Sequence, residues 1–224
     1  MSDPVDRGSR LRTVLIAVIA VGLVLVGGGL AVALGLGRAE VPTAETVDAG
    51  FSRDMARHHL QGVEMANLAL DRSEDPAVRG LAFDISATQT NQTGRMQGWL
   101  SLWGIPFTGG QPMAWMGDGG HSGHDMDVEM DMEMDMDGLM PGMATEEELA
   151  ELRSLSGSAF DVEFLRLMIR HHQGGEEMAE YAAEHAGLAV VRDLAETIVE
   201  SQSAETALMS EMLTARGGTP LPAP

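Results

Sequence analysis

The chain has 224 residues, no cysteine and a formal net charge of −20 at pH 7, and every basic residue is arginine. Without cysteine it forms no disulfide, carries no lipoprotein anchor and attaches no c-type haem. Its strong negative charge disfavours nucleic acid and anionic lipid surfaces as partners.

Residues 1–12 carry Arg7, Arg10 and Arg12 and lead into residues 13–37, which are free of charge. About 20 apolar residues cross a bilayer as a helix, so 13–37 reads as a transmembrane anchor rather than a cleaved signal, whose apolar region runs to only about 7–15 residues. The arginines before it place the N-terminus in the cytoplasm and the bulk of the chain outside a bacterial cell membrane, single-pass. Residues 38–47 form a tether containing Pro42. A first bundle helix is expected from about Asp48 to Asp71. The second starts at Asp75-Pro76 and ends at Trp103, where Gly104-Ile-Pro106 stops it. Residues 105–144 are rich in Gly, Asp and Met, contain no Lys or Arg, and are expected to be a mobile insertion. Thr145-Glu-Glu-Glu148 has capping-box spacing and opens a short helix. A third long helix is expected from Asp161 to Ala186 with Gly187 as its stop, a fourth from Leu188 to Ala215, and an extended or disordered tail over 217–224.

The two hairpins are copies of one another. An offset of 113 residues aligns 51–104 with 164–217 without a gap and gives 21 identities in 54 positions. Two copies are too few for a solenoid. A single hairpin cannot bury its apolar stripe, so two of them predict one all-α, pseudo-symmetric four-helix bundle over residues 48–216.

At the centre of each copy stands Met-x-x-His-His-x5-Met: Met55, His58, His59 and Met65, then Met168, His171, His172 and Met178. At about 100° per residue these side chains and Gly62 or Gly175 share one helical sector. Methionine at helical spacing is usually packing, and Met96 and Met209 read that way. Two adjacent histidines flanked by methionines and duplicated in register point instead to a metal. Thioether and imidazole suit copper better than magnesium or calcium, with silver or zinc as alternatives. One histidine of each pair is expected to hydrogen-bond a carboxylate such as Glu64 or Glu177 instead of the metal.

A second candidate site lies in the insertion. His121, His124, Met126, Met130, Met132, Met134 and Met136 alternate with acids, the thioethers suiting Cu(I) or Ag(I) and the imidazoles Cu(II). Catalytic signatures are absent. There is no Glu-x-x-His of a di-iron bundle, no P-loop, no Gly-x-Ser-x-Gly and no His-Glu-x-x-His.

With Met-x-x-His-His followed by Glu-Met-Ala in both copies, the chain resembles the bacterial family called domain of unknown function 305. The resemblance covers Phe51–Leu102 and Ala159–Met212. It implies a ferritin-like four-helix bundle, secreted or membrane-anchored, with some members implicated in copper binding and tolerance. It also implies a ligand role for the eight His and Met residues of the two motifs. The chain departs from the pattern at Arg57 and Arg170, where many members have proline, and at Met55-Ala56. The expected function is therefore an extracytoplasmic protein that sequesters or transfers copper. A metal-dependent redox enzyme and a metal-free helical module for a partner protein are the alternatives, and self-association stays open.

Overall fold

The computed structural model describes residues 4–33, 41–117 and 138–224. It consists of two separate units, Met1–Val41 and Pro42–Pro224. All regular structure among the described residues is helical.

The first unit is one helix, α1 (Pro4–Ala33). Its stretch Arg10–Ala33 is long and apolar enough to cross a membrane: 24 residues at about 1.5 Å each exceed the ~30 Å hydrocarbon thickness. The expected apolar span, 13–37, thus begins inside a helix that already includes the three arginines. Residues 34–40 lie outside the described part.

The second unit is built from α2 (Val47–Arg72), α3 (Pro76–Trp103), the short α4 (Glu146–Ser154), α5 (Gly157–His185) and α6 (Ala189–Ala215). Helices α2 and α3 form one hairpin and α5 and α6 the other, and α2 packs on α5 to join them. Local chemistry sets the helix ends. Asp75 accepts from Ala77 N with Pro76 in the first turn. Gly104, at φ 71°, takes the left-handed conformation that closes α3. Thr145 and Glu148 form the expected reciprocal capping box.

The end of α5 differs from expectation. Gly187 is not a left-handed stop; Ala186 is extended instead. The buried carboxylate of Asp48 on α2 then accepts from Gly187 N (3.0 Å) and Leu188 N (2.8 Å). One side chain thereby ties the start of the first hairpin to the turn of the second. α5 also begins four residues earlier than periodicity suggests, because Phe160 is fully buried and extends its apolar face.

The core falls into two apolar clusters. One gathers Met65, Met168 and Met209 among Leu, Ile and Phe side chains. The other gathers Met55, Met96 and Met178 with Phe51 and Ile198. The 113-residue offset exchanges these two methionine triplets, as a pseudo-twofold between antiparallel α2 and α5 requires. Along α2 the buried polar residues His58 and His59 lie between Met55 and Met65, so a polar layer separates the clusters.

The described stems of the insertion, 105–117 and 138–144, dock on the bundle. Asp54 accepts from Met113 N (2.9 Å) and Trp115 Nε1 (2.8 Å). Gln61 exchanges two hydrogen bonds with Ala144, at 2.9 and 2.7 Å. Gly174 allows Pro141 to cross α5, since a Cβ there would collide with the Pro141 carbonyl. The tail has no regular structure and runs along the bundle: Thr219 O accepts from Arg166 Nε at 3.1 Å, and Leu221 packs on the first cluster.

Replacing Asp48 with alanine removes the acceptor of the Gly187 and Leu188 amides at the part-buried α5–α6 turn. The expected cost is about 1 kcal/mol of stability, read as a lower urea midpoint with unchanged helical content.

Candidate metal centre

Helices α2 and α5 carry the four histidines to the middle of the bundle, where all four are fully buried. The rings of His58 and His171 lie face to face, with centroids 3.9 Å apart and planes inclined at 32°. Each reaches across to the other helix at a glycine. A Cβ on Gly62 would collide with Gln89 Oε1 and stand 3.0 Å from His171 Cε1. A Cβ on Gly175 would stand 2.7 Å from Gln202 Oε1 and 3.2 Å from His58 Cε1. The two arrangements are related by the 113-residue offset, so the duplicated glycines make the space that the duplicated histidines and glutamines fill.

Hydrogen bonding orients all four rings alike. His58 Nε2 meets Pro141 O at 3.1 Å, His59 Nε2 meets Gln92 Oε1 at 2.8 Å, His171 Nε2 meets His58 O at 3.0 Å, and His172 Nε2 meets Glu205 Oε2 at 2.7 Å. Each partner atom is an oxygen acceptor, so each Nε2 carries the donated proton, and in a neutral ring the Nδ1 then keeps a lone pair. None of the four Nδ1 atoms has a hydrogen-bond partner among the described residues. The same holds for both amide atoms of Gln89 and of Gln202, and for the hydroxyls of Thr93 and Thr206. Buried polar groups are normally satisfied. A duplicated set of unpartnered donors and acceptors around four oriented imidazoles fits a bound cation and its coordinating shell.

Burial keeps the imidazoles of His58, His59 and His171 neutral. It lowers His58 to about 4 against the opposing Pro141 hydrogen bond, lowers His59 to about 3 with help from nearby His58, and holds His171 well below the ordinary histidine value. Neutral imidazole is the metal-binding form, and no proton has to leave these rings at neutral pH.

The eight residues of the two motifs do not form one cluster. The structure brings His58 and His171 together. His59 and His172 sit 6.5 and 6.2 Å from their neighbours, centroid to centroid, each tied to the second helix of its own hairpin. Met55 with Met178, and Met65 with Met168, lie in the two apolar clusters on either side. Among the described residues no three His, Asp or Glu side chains converge on one point. His121, His124, Met126, Met130, Met132, Met134 and Met136 fall outside the described residues.

The expected carboxylate partners are corrected. Glu64 is exposed and binds Arg153 at 2.5 Å, and Glu177 is exposed. The acceptors come from α3 and α6 instead, as Gln92 and Glu205, which also align at the offset of 113. Gln89/Gln202 and Thr93/Thr206 are identities of the duplication that the motif alone does not single out. The arginines beside the histidines turn away from them: Arg57 is exposed and Arg170 binds Glu148 in two contacts of 2.8 and 2.6 Å.

The sequence model of the domain of unknown function DUF305 matches residues 48–213. The chain belongs to the DUF305 family. Among solved structures, a DUF305 protein from Streptomyces coelicolor, assigned as secreted, is 42% identical with a TM-score of 0.69, covering 80% of this chain and 99% of its own. A DUF305 fragment from Deinococcus radiodurans is 32% identical with a TM-score of 0.59, covering 79% and 99%. CopM in a Cu(II)-bound form is 29% identical with a TM-score of 0.55, covering 76% and 97%. No curated protein matches the chain. These DUF305 structures share the helical bundle and almost their entire length with residues of this chain.

The histidines also set a pH dependence. The folded values of His58, His59 and His171 lie below the ~6.5 of an unfolded imidazole, so between about pH 4 and 6.5 the unfolded chain binds more protons. Their contribution to stability is present above pH ~6.5 and is lost as pH falls. In urea titrations of the metal-free protein, the stability of wild type relative to a His59→Gln variant is expected to fall by roughly 1–2 kcal/mol from pH 6.5 to 5. The comparison cancels the carboxylate background common to both chains.

Proposed function

We propose that this DUF305 protein is a membrane-anchored, extracytoplasmic copper-binding protein that sequesters copper or passes it on. The observation that carries the reading is the four-histidine layer: buried imidazoles with oriented Nε2 atoms and unpartnered Nδ1 atoms, matched twice across the pseudo-twofold. His58, His59, His171 and His172 supply the nitrogen donors, and Met55, Met65, Met168 and Met178 supply thioethers on either side. Nitrogen donors serve Cu(II), and thioethers serve Cu(I). The resemblance to CopM, which has been solved with Cu(II) and with Cu(I) bound, supports the choice of metal. The acidic stretch with His121, His124, Met126, Met130, Met132, Met134 and Met136 is assigned to first capture on its sequence alone. Residues 13–37 anchor the chain with residues 1–12 in the cytoplasm, and the bundle works on the far side, an assignment supported by the long apolar helix α1.

The test is Cu(II) titration of the full chain in detergent micelles, compared with a His58→Gln/His171→Gln variant. Glutamine keeps a polar group in each ring's place, and circular dichroism checks the fold. At least a tenfold loss of affinity for one class of sites is expected, and unchanged binding by the folded variant would overturn the reading. A gentler variant, Glu205→Gln, copies the Gln92 arrangement already accommodated in the first hairpin. It is expected to weaken Cu(II) binding by about tenfold through a less basic His172, with little change in melting temperature.

A further inference from the structure

The two ends of the bundle core have the same architecture but different chemistry. At the end containing Met65, Met168 and Met209, the remaining fully buried large side chains are Leu, Ile and Phe, including Leu149 and Leu152 brought in by α4, with Met212 partly buried at its edge. At the opposite end the stems of the insertion take the corresponding covering role, and they bring four methionines together with Trp115 and Leu139. Met113 and Met116 come from one stem and Met140 and Met143 from the other. They join Met55, Met96 and Met178 in one cluster of seven buried thioethers, against three buried and one partly buried, Met212, at the other end. Leucine packs such a space at least as well as methionine and specifies it better. The aliphatic end demonstrates this within the same molecule.

Three further features set this end apart. Met113 has φ 64° and is the one non-glycine residue with positive φ among the described residues. Such a backbone is costly for a side chain of this size and is retained where the surroundings enforce it. Here the enforcing group is Asp54, which binds Met113 N and Trp115 Nε1 together. Asp54 is itself only 4% exposed, and its one ion-pair contact is Arg53 Nε at 3.7 Å. A buried carboxylate so weakly paired supplies negative charge next to an apolar, sulfur-rich space. Finally, Trp115 is nearly buried in the same cluster, held edge-on to Phe51 and Tyr181, and offers an aromatic face that attracts cations.

We propose that the insertion stems and the adjoining bundle end form a separate thioether site for a soft monovalent cation, Cu(I) or Ag(I). Met113, Met116, Met140 and Met143 contribute the sulfurs, and Asp54 balances the charge. Neutral sulfur donors select such ions over divalent, harder ones. The stems also meet the histidine layer, because Pro141, between Met140 and Met143, is the acceptor for His58 Nε2. The inference deepens the copper reading above and assigns the two oxidation states to two places: Cu(II) to the imidazoles, Cu(I) to this end.

The experiment uses the full chain in detergent micelles with 13C-labelled methionine methyls, resonances being assigned by single Met→Leu variants. Silver ion is the probe, since it mimics Cu(I) without redox chemistry. On adding one equivalent, the methyls of Met113, Met116, Met140 and Met143 are expected to shift, while that of Met209 at the aliphatic end stays in place. Competition titration of the quadruple Met→Leu variant is expected to show at least tenfold weaker Ag(I) binding with Cu(II) binding unchanged. Unmoved resonances for the four stem methyls in wild type would overturn the thioether site irrespective of how any variant folds. A response of these methyls in a chain that takes up no Cu(II) would uphold it while refuting the imidazole site.

Discussion

The bundle is organised around the place where α2 and α5 come close enough for the ring of each to rest against the other's backbone. That approach depends on Gly62 and Gly175. Any side chain there would strike a buried glutamine and force back the opposing histidine. The helices must therefore cross at this level, and the crossing separates the apolar core into two clusters with a polar layer between them. A bundle built only for stability would place Leu or Ala at these positions, because burying unsatisfied polar atoms costs free energy. The layer is affordable only if something compensates those groups, and this is the physical root of the metal reading.

Duplication gives the molecule its symmetry, and connectivity breaks it. One linker joins the two hairpins, so its contacts with the histidine layer have no symmetry mate. His58 finds the Pro141 carbonyl there. His171, its counterpart, has no second linker to meet and turns instead to the backbone oxygen of His58. The acceptors of the outer histidines differ as well, an amide in one copy and a carboxylate in the other.

Most of the architecture was legible in the sequence, because the repeat and the helical periodicity are local and redundant signals. The four long helices, the short capped helix and the histidines facing one another all follow from those patterns. Less legible were features created by contacts distant along the chain. The carboxylates beside the histidine motifs, Glu64 and Glu177, point to solvent, whereas Gln92 and Glu205 reach the rings from the neighbouring helix, 33 residues away in each case. The stop at the end of α5 is likewise non-local: Asp48, 139 residues earlier, holds Gly187 N and removes any need for a left-handed glycine. A run of Gly, Asp and Met reads as a mobile insertion, and the partners that Asp54 and Gln61 on α2 supply to its described stems are ones that no local pattern reveals. Equally, the helical sector that holds both Met55 and Met65 hides the fact that they lie on opposite sides of the histidine layer.

The pairing of His59 with Gln92 and of His172 with Glu205 carries one more consequence. A neutral amide and an anionic carboxylate do not raise the basicity of an imidazole equally. The two halves have thus retained a common shape while their electronic character has drifted apart. A single chain that folds like a symmetric dimer thus has two chemically distinct halves, an amide beside one outer histidine and a carboxylate beside the other, where a true homodimer would repeat the same pair.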